Sequence, residues 1–327
     1  MIYAPQRRAR VRLPAEWEPQ AGVLLTWPHA HGDWGDKLEQ AHAAFVALAA
    51  AIARFEPLLI TCYDSEHQAL VAADLQAAGV PLTRICFTIC PSNDVWARDH
   101  GPISVYQESV LPVLQDFTFN GWGGKFPAEL DDRLTVELHR AGCFDGIELR
   151  RIQWVLEGGS IDGDGEGTIL TTSACLLTTT RNGGMSREQV EMQLRDRLGA
   201  RRVLWLERGA LEGDDTDSHV DMLARFCDSK TITYVRCDDP SDSHYDELRA
   251  MEAELEQFRT LKGEPYRLVP LPWPNARHAA DGHRLPLSYA NFLIVNGGVI
   301  VPQYDDSADA EALAVLRDLF PGREVVG

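Results

Sequence analysis

Short apolar runs alternate along this chain with segments whose apolar residues fall every three or four positions. Residues 22–28 read as a buried strand stopped by proline. Residues 41–55 place Phe45, Leu48, Ala49 and Ile52 on one face and predict an amphipathic helix. The alternation continues with strands over 58–62 and 84–89 around a helix over 65–78. Strands over 111–119 and 147–155 flank a helix over 129–141, and a hairpin is centred on the Gly163-Asp164-Gly165-Glu166-Gly167 turn. A helix over 186–198 leads to a strand over 202–206. Beyond it lie a strand over 232–237, a helix over 244–262, a strand over 266–271, a strand–turn–strand over 288–302 and a last helix over 307–319. Residues 1–20 carry no period and predict an irregular arm.

Residues 215–221, Asp-Thr-Asp-Ser-His-Val-Asp, run into the apolar residues 222–226. Read as the start of a strand, this stretch puts Asp217, His219 and Asp221 on one face and Ser218, Val220 and Met222 on the other. A histidine between carboxylates on a rigid element suits acid–base work or cation binding. It also suits a simple hydrogen-bonded strand end.

The unit of strand, polar loop, two strands, helix and strand recurs, with Trp27, Asp99, Glu157, His219 and Asn291 at matching places roughly 60 to 70 residues apart. The expectation is an α/β protein of five modules about an axis, a single domain over 1–327, with equivalent loops converging at one end. Glycines beside the markers, among them Gly101, Gly158 and Gly159, suit close backbone approach there.

Composition narrows the partners. The 327 residues carry a net charge of −18, with a pI near 4.9. That balance argues against a nucleic-acid partner and against docking on an anionic membrane. It favours a small cation, or it serves solubility alone. Seven scattered cysteines form neither a disulfide framework nor a zinc motif; Cys175 and Cys227 sit in apolar runs and read as core. No signal peptide and no membrane-length apolar run stands out, so the expected location is cytoplasmic. The sequence sets no oligomeric state, and a homo-oligomer stays open.

The convergent loops would gather Asp99, Glu157, His219 and Asp221, with Trp96 and Trp122 nearby. Carboxylates accept paired N–H bonds from a planar guanidinium, and aromatic walls suit the same cation. A divalent metal on His219 and the acids is the rival. His100, next to Asp99, would face away in a strand. The acidic spacing Asp162, Asp164, Glu166 reads as a hairpin turn rather than a calcium loop, and the glycine-rich 120–125 loop lacks phosphate-binding spacing.

The stretches Trp96-Ala97-Arg98-Asp99-His100-Gly101-Pro102, Phe119 to Lys125, Leu156-Glu157-Gly158-Gly159-Ser160, 215–221 and 289–297 occur in an order that resembles the agmatine deiminases, a family that includes bacterial peptidylarginine deiminases of the Porphyromonas type. The resemblance runs from residue 14 to Gly327 and implies the five-module α/β-propeller, or pentein, fold with pseudo-fivefold symmetry. It implies hydrolysis of agmatine to N-carbamoylputrescine and ammonia through a covalent cysteine intermediate, with no metal or organic cofactor. His219 would protonate departing ammonia and then activate water, with Glu157 orienting it. Asp99 and Asp221 would grip the guanidinium, and Trp96 and Trp122 would line the pocket. None of the seven cysteines matches the family's nucleophile, which is expected beyond Gly327; the last module would then lack a strand. Free or peptidyl arginine stays open as substrate, with Arg98, Lys125 or Arg181 to receive a carboxylate. A catalytically dead guanidine- or polyamine-binding protein also stays open.

Overall fold

The computed structural model describes residues 11–108, 111–144 and 146–327; the start of the expected arm lies outside them. Strands β1 (Val11–Arg12), β2 (Val23–Thr26), β3 (Leu58–Cys62), β4 (Ile85–Ile89), β5 (Ile103–Gln107), β6 (Pro112–Thr118), β7 (Glu148–Val155), β8 (Ile161–Gly163) and β9 (Thr168–Thr172) make up the first part of the chain. They are followed by β10 (Arg202–Leu206), β11 (Ala224–Asp228), β12 (Thr231–Val235), β13 (Arg267–Leu271), β14 (Leu293–Val295), β15 (Gly298–Ile300) and β16 (Glu324–Val326).

Among the described residues these strands form five sheets. Four share one plan: an antiparallel hairpin whose second strand pairs in parallel with a third. The parallel step needs a crossover, and each time a helix supplies it: Asp131–Arg140, Arg187–Leu198, Tyr245–Leu255 and Asp309–Leu319. The sheet β2-β3-β4 is parallel throughout, with Leu38–Ala53 and Ser65–Ala77 as its crossovers. Each apolar helix face covers a sheet; Leu134 and Leu138, Val190 and Leu194, Leu248 and Met251, and Ala312 and Leu316 are all buried. The last sheet is complete, with β16 beside β15, so the expected lost strand is corrected.

Most elements match the periodicity. The helix expected over 244–262 stops at Leu255, where Thr260 and Glu264 close a turn and Arg259 bridges Pro265. The 215–221 stretch is not a strand. Asp217 and Ser218 stand at φ 65° and 68°, and Val220–Met222 is a 3-10 turn before β11. Asp214 draws the chain round by accepting from the amides of Thr216 and Ser218, a local side-chain competition that short polar residues offer the backbone.

The arm from residue 14 to residue 20 is tied to distant parts of the chain. The Glu16 carboxylate accepts from Arg98, from Arg225 on β11 and from the amide of Ile294 on β14. Gln20 donates to the Ile294 carbonyl, and Arg323 to the Trp17 carbonyl. Glycine is required where Arg98 passes the 157–160 turn, because a Cβ on Gly158 would lie 2.1 Å from the Arg98 carbonyl oxygen. This contact brings Asp99 against Gly159.

Candidate active site

Asp99 lies on the short helix Ala97–His100, buried. Its Oδ1 accepts from the Gly159 amide at 2.9 Å and its Oδ2 from the Trp122 indole N–H at 3.0 Å. His219 Nδ1 stands 3.6 Å from Asp99 Oδ1. A Cβ built on Gly159 would fall 2.6 Å from His219 Nδ1, 2.7 Å from Asp221 Oδ2 and 2.8 Å from Asp99 Oδ1. Three polar side chains from two distant segments therefore bracket one point, over a residue that presents no side chain of its own.

Glu157 lies behind them and is fully buried. Its Oε1 accepts from Arg181 Nε at 2.8 Å, whereas its Oε2 and His219 Nε2 have no partner among the described residues. Buried polar atoms without partners are costly, and two of them here leave room for a proton, a water or a substrate N–H. Among the described residues Glu157 makes no hydrogen bond to His219 and meets Arg181 instead.

Burial shapes the electrostatics. It pushes Asp99 and Asp221 up to about 6, and it lowers His219 from the usual imidazole value, against the opposing pull of Asp221 and Glu157. A bound cation would reverse the cost to the carboxylates by supplying their missing countercharge.

Donor atoms of Glu157, Cys175 and His219 lie within 4.8 Å of one another. The set does not suit a metal ion: Arg181 already supplies positive charge to Glu157, and burial holds the Cys175 thiol well above its ordinary pKa. The same burial disqualifies Cys175 as an attacking thiolate. Cys227 is likewise buried, as the sequence predicts.

Trp122 is a wall of the site, edge-on to Phe119 and Phe126. Trp96 is 52% exposed and its indole is hydrogen-bonded to Asp94, so it stands at the surface rather than in the buried cluster. Asp217, expected beside His219 and Asp221, turns away to Lys125 and Arg181. His100 faces away, but from a helix, with Nε2 at 3.3 Å from Thr26. Of the repeat markers, Trp27 is buried in another part of the core against His42 and Phe45, and Asn291 is exposed. Asp164 accepts from the amides of Glu166 and Thr168, which makes the acidic spacing a hairpin turn. No helix among the described residues is long and apolar enough to cross a membrane.

The role of Arg181 in this site was not legible in the sequence. The sequence shows it only as a cation in a polar stretch, which suggests a receiver for a substrate carboxylate. All three cations considered for that task are engaged: Arg98 with Glu16, Lys125 with Asp215 and Asp217, and Arg181 with Glu157, Thr216 and Asp217.

A buried pair of carboxylates faces one histidine, beneath a tryptophan and among repeated α/β sheets, and that charge suits a planar cation. Residues 12–327 match the Porphyromonas-type peptidyl-arginine deiminase family, and the chain belongs to it. An agmatine deiminase of Stutzerimonas stutzeri is 37% identical, the match covering 96% of this chain and 89% of that one. The Campylobacter jejuni agmatine deiminase, solved as a cysteine-to-serine variant with substrate bound, superposes with a TM-score of 0.88 at 33% identity over 97% of this chain and 90% of that one. A Porphyromonas gingivalis structure with a provisional arginine deiminase name superposes with a TM-score of 0.89 at 48% identity, covering 97% of this chain and 92% of that one.

Proposed function

We propose that this protein is a C–N hydrolase that deiminates agmatine, with residues 12–327 acting as one unit of five modules about an axis. The five sheets, four on one plan, support that arrangement. The observation that carries the function is the convergence of Asp99, Asp221 and His219 on one point above Gly159.

The guanidinium enters as a planar cation. Asp99 and Asp221 accept its N–H groups, and ionise fully as it arrives. Trp122 holds one Asp99 oxygen, so the other faces the cluster. In the reaction a C–N bond to one terminal nitrogen breaks and ammonia leaves with a proton. Water supplies the oxygen of the new urea carbonyl. His219, carrying the proton that the attacking thiol gives up, passes it to the departing nitrogen; it then takes a proton from the water whose oxygen bonds to the carbon as the carbon–sulfur bond breaks and the thiolate leaves. Glu157 stabilises the imidazolium that stands before the first transfer and again after the second. Attack on the guanidinium carbon falls to a thiolate that the described residues do not place here, since Cys175 is held protonated. Agmatine is favoured over free arginine because the three candidate carboxylate receivers are already engaged.

The test is calorimetry with agmatine and with arginine, alongside ammonia release from each. Stoichiometric agmatine binding that Asp221→Ala abolishes, with ammonia released, is expected. Binding without release makes the protein a guanidine-binding member of the fold. Failure to bind either compound sinks the reading.

A further inference from the structure

We infer that Arg181 is a positioning residue of this site, one buried guanidinium that holds Glu157 and the turn delivering His219 in a fixed mutual geometry. It deepens the deimination reading and rests on it for the meaning of the site, but its test does not depend on turnover.

The Arg181 side chain is 0% exposed. Its Nε donates to Glu157 Oε1 at 2.8 Å, one Nη to Asp217 Oδ2 at 2.6 Å and the other to the Thr216 carbonyl at 2.8 Å. Such a forked, planar set of donors cannot be reproduced by lysine. The turn it grips is strained: Asp217 and Ser218 both occupy the left-handed region, which L-residues adopt at a cost. His219 follows directly. Lys125 holds the outer Asp217 oxygen, and Thr172 donates to the Ser218 carbonyl at 2.7 Å. Lys125 belongs to the loop that carries Trp122. The loops of Trp122, Glu157 and His219 thus meet through Arg181 and Asp217.

Charge gives the arrangement a second consequence. His219 faces Asp99, Asp221, Glu157 and Asp214, all of which favour the imidazolium. Arg181 opposes it, together with burial, while Arg98 and Arg225 face the two aspartates and Cys175 faces Glu157 and Arg181. Removing Arg181 leaves His219 in a field of carboxylates, free to keep its proton to higher pH.

The experiment is an NMR titration of histidine-labelled protein, with His219→Gln identifying the resonance. Arg181→Gln, shown folded by circular dichroism, is expected to raise the His219 midpoint by about one pH unit or more. Arg181→Lys, which keeps the charge and loses the fork, is expected to leave it within about a few tenths of a unit while amides 216–219 exchange at least about tenfold faster, and native exchange there overturns the positioning role. An unchanged midpoint in folded Arg181→Gln overturns the proposal. Should that variant fail to fold, Asp217→Asn is followed by hydrogen exchange. Amides 216–219 are expected to exchange at least about tenfold faster, with β12 unchanged; unaltered exchange there also overturns it. Both readouts stand whether or not agmatine is hydrolysed.

Discussion

Trp122 donates its indole N–H to Asp99 Oδ2 at 3.0 Å from a backbone held at φ 54°. The bond does two things to a carboxylate already short of water: it stabilises the charge and it fixes the rotation of the group. Trp122→Phe keeps a ring against Phe119 and Phe126 but removes the donor. Agmatine affinity is expected to fall about tenfold, the usual scale for a hydrogen bond to a charged group, with thermal stability nearly unchanged. Unaltered affinity by calorimetry would show that the bond does not orient Asp99.

In the proposed site, Asp221 is a buried carboxylate that serves the ligand rather than the fold. Its pKa is raised from 3.8 to about 6, so the folded state holds the proton more tightly than the unfolded chain. The contribution of Asp221 to the stability of the ligand-free protein is therefore greatest below that window and is lost as pH rises through it. Asp221→Asn removes the cost. At pH 7 it is expected to stabilise the free protein by on the order of 1–2 kcal/mol while agmatine binding is lost. A lower melting temperature in this variant would contradict the assignment.

The proposed guanidinium capture needs both aspartates ionised. Agmatine affinity is expected to fall as pH drops through about 6, and binding near that pH is expected to release protons. Calorimetry in buffers of different ionisation heat measures the release directly. Affinity independent of pH between about 5 and 8 would mean that the carboxylates do not meet the cation.

Gly159→Ala tests the geometry itself. The added methyl would fall within 2.8 Å of all three converging polar atoms, closer than packed atoms tolerate, and those side chains would have to part. Binding is expected to weaken at least about a hundredfold, or roughly 2.7 kcal/mol, with the far-ultraviolet spectrum preserved. Near-normal binding would place the guanidinium elsewhere.

The fold was legible wherever one face of an element is buried. Leu58–Cys62 and Arg202–Leu206 form the expected strands residue for residue, because runs of Leu, Ile and Val have few other uses. Helix Arg187–Leu198 was equally clear, and Ser186 and Gln189 close its capping box. The 215–221 stretch misled because Asp, His and Asp at alternate positions imitate a strand face, whereas Asp214 and the left-handed pair at Asp217 and Ser218 make a turn. His219 and Asp221 still arrive together, since a 3-10 turn can bring them to one point as a strand can. Trp96 looked identical to Trp122 in kind, yet only Trp122 has a buried acceptor for its N–H. Arg181 could not be found from its own neighbourhood: its partners, Glu157 and Asp217, lie in two other loops and meet it only through tertiary structure.

Glu16 sets a condition on the order of assembly. Its carboxylate is shared among Arg98, Arg225 and the amide of Ile294, partners spread over most of the polypeptide. Contacts so distant in sequence form late and slow the folding of the whole. On a ribosome, the amino-terminal arm must wait for nearly the entire chain to emerge before this knot can be tied. Until then Arg98 and Arg225 stand without that carboxylate, with Asp162 beside Arg225. The arm that ties Arg98, the residue before Asp99, to β11 and β14 thus gains its full set of partners only once the chain has closed on itself.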